Sequence, residues 1–182
     1  MTAQFNKMVC GGMRALVSEG LLPMASNGDM KRADWHKIDR PIQMTVETID
    51  FLVDQAQKVA PAREKGVDGF NAYDLAASTL NHIGDTGIIK LNGDKLVDEA
   101  RLEALLAMSS DGGKTLSVEA VRKTLTLRHM EDAQWSPTGM VQSMLELGPT
   151  IMARAPPETP DRAKVDDVRA FYLQHTLPEH MK

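Results

Sequence analysis

Apolar residues recur at helical spacing over most of the chain. Between Lys7 and Leu22, the positions Met8, Met13, Leu16, Val17 and Leu21 fall near a 3.6-residue period, and Pro23 ends the run. A polar loop from Ala25 to Asp29 follows, rich in turn formers. Asp39 before Pro41 opens a second predicted helix, whose inward face carries Ile42, Val46, Ile49, Leu52, Val53 and Ala56 as far as Val59. Asn71 caps a third predicted helix, through Tyr73, Leu75 and Leu80 to His82. Asp98 caps a fourth, Ala100 to Met108, which Asp111-Gly112-Gly113 closes with residues tolerant of positive φ. Thr115 or Ser117 starts a long helix through Val121, Leu125 and Met130, and Ser136-Pro137 opens another with Val141, Met144 and Leu145 inward. Three prolines lie in the connection at 155–160, and a last helix covers Val165 to His175. Alternating segments are brief and no internal repeat is visible. The pattern predicts a mostly α fold in which residues 1–182 form a single helical domain.

Composition narrows the chemistry. The 182 residues carry 21 basic and 25 acidic side chains, a formal charge of −4. That balance offers no basic footprint for nucleic acid. No stretch approaches the roughly 20 apolar residues of a spanning helix. No secretory leader is visible, so the expectation is an intracellular protein, with a processed secreted form as the alternative. Twelve methionines outnumber the eight Phe, Tyr and Trp residues, and Cys10 is the single cysteine. One thiol excludes an intramolecular disulfide framework and a multi-cysteine zinc site.

Cys10 precedes Gly11 and Gly12 at the start of the first predicted helix. Orphan N–H groups there favour an anion, so a thiolate would be stabilised. The two glycines remove bulk beside the sulfur and would let a planar ligand approach. These are conditions for an axial thiolate on haem iron or for a nucleophile. The bland alternative is a buried small hydrophobe. The histidines, His36, His82, His129, His175 and His180, show no metal-pair spacing. His82 beside Gly84-Asp85-Thr86 is either an acid–base group or a helix-capping imidazole. Glu146, among Met144, Leu145 and Leu147, is either a carboxylate poised in a cavity or a rim charge. The Asp/Gly loops do not read as calcium loops. With Gly93 or Gly113 in the sixth position, the first ligand would be Ile88 or Met108.

In order along the chain, these features resemble the haem-thiolate peroxidase family of chloroperoxidases and unspecific peroxygenases. The segment from Cys10 to Pro23 has the family's cysteine-to-proline distance, with Ala15, Leu16, Gly20, Leu22 and Pro23 matching in type. Tyr73-Asp74-Leu75 through Asp85 is similar to its Asp-Leu helix and acidic loop. Asp111 to Ser117, before Arg122 and Arg128, is similar to its DG-x-LT segment, and Val165 to Phe171 with Leu177-Pro178-Glu179 to its ending. Val9 and Gly11 stand where the family has prolines, and Ile83 and Gly87 where it has a glutamate and a serine.

The resemblance implies that fold, a haem b with Cys10 as proximal ligand, and a magnesium site degraded by the two losses. It places a distal acid–base carboxylate at Glu146 and acid–base candidates at His82 and Asp85. The substrates would be peroxide and a small organic molecule or halide. With so few aromatics, a haem pocket is expected to be lined mainly by aliphatic side chains and methionine. Two alternatives come from other classes. One is a non-haem relative that binds or transforms a hydrophobic small molecule, as a cyclase, isomerase or binding module. The other is an all-α interaction domain without pocket chemistry.

Overall fold

The computed structural model describes residues 7–8, 10–39, 44–77, 97–117, 120 and 162–178. Ten elements occur among them. Helices are α1 (Gly11–Ser18), α2 (Arg32–His36), α3 (Val46–Val59), α4 (Ala72–Ala77), α5 (Glu99–Leu106) and α6 (Val165–Gln174). Strands are β1 (Asp29–Lys31), β2 (Gly69–Asn71), β3 (Thr115–Ser117) and β4 (Arg162–Lys164). Helix dominates, and the strands form two small antiparallel sheets, β1 with β2 and β3 with β4. No helix among the described residues is long and apolar enough to cross a membrane.

Local chemistry explains the helix ends. Asp98 accepts the Arg101 N–H at 3.2 Å and caps α5, and Asn71 Oδ1 accepts the Tyr73 and Asp74 N–H groups at the start of α4. Gly112 and Gly113 adopt φ of 77° and 84° after α5. These three expectations hold. Helix α1 is shorter than its apolar pattern: Cys10 caps it and the chain leaves helical geometry at Gly20, with φ 71°. Helix α3 begins at Thr45, whose hydroxyl accepts the Thr48 N–H, and Val46 is exposed rather than inward. The predicted start at Asp39 is thereby corrected: Thr45 is extended, with ψ 153°, so no continuous helix runs from Asp39 into α3.

The strands correct the sequence reading. Asp29 to Lys31, read as the end of a loop, and Thr115, read as one of two possible helix starts, are extended and paired, whereas Ser117, the other start, ends β3 and accepts the N–H of helical Ala120 at 3.1 Å. Three residues are too few for alternation to register, and their partners lie in distant parts of the chain. Met30 faces Phe70, and Leu116 faces Ala163. Two backbone bonds relate the first pair reciprocally: Arg32 N–H to Asp68 O at 3.0 Å and Ala72 N–H to Gly28 O at 2.9 Å. The second pair repeats the device, Val165 N–H donating to Lys114 O at 3.0 Å. Thus a repeat absent from the sequence is present in the backbone.

One apolar cluster runs through the described residues, from Met8 and Leu16 through Ile49, Val53 and Phe70 to Leu102, Leu105, Val168 and Phe171. α6 packs on both α1 and α5, so an early and a late segment share the core. The helix predicted at 136–151 and the proline connection at 155–160 lie outside the described residues.

Candidate functional site

Cys10 stands where α1 meets α6. Its backbone is extended, with φ −84° and ψ 118°, and its sulfur accepts the Met13 N–H at 3.4 Å. The side chain is half-buried against the apolar core. A sulfur in the N-cap position takes the role usually given to Ser, Thr or Asp oxygen, and it sits at the positive end of the helix.

One helical turn on, Arg14 is only 1% exposed. Its Nε donates to Met8 O at 2.9 Å, and its Nη2 donates to the same oxygen. A buried guanidinium needs such an acceptor for its N–H groups. At the other end of the site, His175 follows α6 with φ 55°, the only positive φ among the described non-glycine residues. Burial and, after it, the Arg14 charge push the His175 imidazole below its usual range. Neither Arg14 nor His175 was marked as functional by sequence pattern, because their proximity joins the two ends of the chain.

Gly11 is closed on one side. A Cβ there would lie 3.0 Å from Phe171 Cε1 and 3.4 Å from Tyr172 Cε1. The space expected to admit a planar ligand beside the sulfur is therefore taken, at Gly11, by aromatic rings of α6. Phe171 and Tyr172 meet edge to face with centroids 5.0 Å apart. The wall against Gly11 is aromatic. Gly12 is half-buried. The remaining candidates, His82, Asp85 and Glu146, lie outside the described residues. Among the described residues, no group of three or more His, Cys, Asp or Glu could hold a metal ion.

A second polar centre joins β1 to the loop before β2. Asp29, 4% exposed, accepts four N–H groups: Arg63 N at 2.8 Å, Glu64 N at 3.0 Å, Asn71 Nδ2 at 2.8 Å and Asn27 Nδ2 at 2.9 Å. Burial pushes this carboxyl up, but those bonds outweigh it and hold it at about 2. Arg32 forms a third centre, donating to Asp50 at 2.9 Å, Asp54 at 2.6 Å and Asp68 at 2.9 Å. Both centres are internally satisfied and serve the fold.

No family model matches this chain, and no curated protein is similar enough to count as a relative.

Proposed function

We propose that this protein is a haem-thiolate oxidoreductase of the peroxidase or peroxygenase type, with Cys10 as the proximal ligand. The observation that carries the reading is the placement of Cys10 Sγ at the α1 N-cap, half-buried and receiving the Met13 N–H. An N–H donor to the sulfur tunes a thiolate ligand without competing for the metal. The donor set thus fits an axial thiolate. Phe171 and Tyr172 restrict approach at Gly11. When bound, the haem would supply an electron-rich iron that reacts with peroxide. This chain's part is to orient the sulfur, to keep water from the Gly11 side and to place a proton-transferring carboxylate, assigned to Glu146, with His82 and Asp85 as acid–base partners. The magnesium site of the family is degraded by Ile83 and Gly87. The substrates are peroxide and a small organic molecule or halide, met inside the cell.

The test is a spectrum. Full-length protein reconstituted with haem should give the red-shifted Soret band of a ferrous-CO thiolate complex, and Cys10→Ala should lose it. A reconstituted wild type without that band refutes the assignment.

A second reading is favoured by Phe171 itself, whose ring fills the space at Gly11. In it the scaffold binds or transforms a hydrophobic small molecule without haem, and Cys10 is a capping residue. A colourless protein whose activity survives Cys10→Ala is its expected signature.

A further inference from the structure

The paired loops around β1 and β2 contain a cation of their own. In a helix–12-residue loop–helix unit that binds calcium, a glycine takes the sixth position, and side-chain ligands come from positions one, three, five, nine and twelve. Gly28, with φ 95°, takes that sharp turn two residues before Met30. The first loop then spans residues 23–34. Met30 faces Phe70, and Arg32 to Asp68 mirrors Ala72 to Gly28. Equivalent positions therefore differ by 40, and the second loop spans residues 63–74.

In this frame the ligand positions have been rewritten. In loop one the first, third and ninth positions, Pro23, Ala25 and Lys31, have no side-chain oxygen, while the oxygens of the fifth and twelfth, Asn27 and Asp34, accept from Asp29 N and Lys37 Nζ. The seventh-position carbonyl, Asp29 O, accepts the Ala25 N–H at 2.9 Å instead of facing a metal. In loop two the first position is Arg63 and the twelfth is Asp74. Arg63 Nε and Nη2 grip the two Asp74 oxygens at 2.9 and 2.6 Å. Its Nη1 reaches Asn27 O across in loop one at 3.4 Å, and its backbone N–H donates to Asp29 at 2.8 Å.

We propose that Arg63 is the built-in cation of this lobe. It fastens the first turn of α4 to the start of its loop, as a divalent ion does when it bridges the first and twelfth positions. The lobe is consequently held in one arrangement with or without calcium. The planar fork of arginine matches a carboxylate bidentately, and lysine cannot reproduce it.

Hydrogen exchange on the full chain tests this. Arg63→Met should speed exchange of the Tyr73 and Asp74 amides by about fivefold, the scale of a well-formed exposed ion pair. Arg63→Lys should fall between Met and wild type. Amides of α6 should keep their rates, and millimolar calcium chloride should leave the wild-type rates unchanged. Unchanged Tyr73 and Asp74 rates in Arg63→Met, an equal rise in α6, or calcium-dependent slowing in the wild type would each overturn the proposal.

Discussion

Asp29→Asn is the sharpest probe of the fold, because it keeps the side-chain shape and removes the charge and one of two acceptor oxygens. Two of the four donors on Asp29 are backbone N–H groups of the facing loop, Arg63 and Glu64, and the amide of asparagine would turn an N–H toward one of them. The carboxyl is displaced from 3.8 to about 2. At 1.36 kcal/mol per pKa unit this corresponds to about 2 kcal/mol of folding free energy. Because the folded value lies below the unfolded one, the contribution is complete above pH 4 and disappears as the pH falls toward 2. Urea unfolding followed by far-ultraviolet circular dichroism should find the Asp29→Asn variant about 2 kcal/mol less stable than wild type at pH 7. The gap should narrow near pH 2.5, where the wild type is itself partly protonated. A gap of similar size at both pH values would mean that shape or packing, not charge-assisted hydrogen bonding, sets the effect. No gap at pH 7 would refute the reasoning altogether.

Three further substitutions separate steric from electrostatic support. At Gly69 a Cβ would meet Met30 O at 2.0 Å, so Gly69→Ala should cost about 3 kcal/mol by forcing β1 from β2. Gly66→Ala, with open space around it and only a φ of 85° to resist it, should cost about 1 kcal/mol. Thermal unfolding of the two variants side by side checks the contrast, and equal losses would count against it. Arg32→Met should cost about 1 to 2 kcal/mol at low salt, since it leaves Asp50, Asp54 and Asp68 facing one another. Denaturation in 1 M sodium chloride should recover much of that loss, and a salt-independent loss would point to the lost packing of the arginine stem.

What was legible in the sequence was what is decided locally. Asn71 and Asp98 announce their helices because a cap bonds to N–H groups two or three residues away. Val165 to Gln174 is a helix because its apolar residues, Val165, Val168, Phe171 and Tyr172, repeat on one face. The β strands escaped notice for the opposite reason: three residues of chain carry no period, and pairing is a fact about two segments. The same separation hid the site's surroundings. Cys10 could be singled out from its glycines and its place before a helix. That Phe171 closes Gly11, or that His175 comes near Arg14, depends on a contact between chain segments that no local pattern encodes. Arg63 and Asp74 become first and twelfth in one loop only through the register of β1 and β2.

The seam between α1 and α6 sets a schedule for biosynthesis. Gly11 is packed by Phe171, and Glu19 accepts the Leu177 N–H at 3.2 Å, a bond between residues 158 positions apart. During translation α1 leaves the ribosome before α6, so the surface it offers to α6 stays uncovered until α6 has emerged. Closing so long a loop is slow relative to forming the local helices. Docking of α6 on α1 is therefore a late step of folding, and the surface of α1 that α6 covers stays exposed until it occurs.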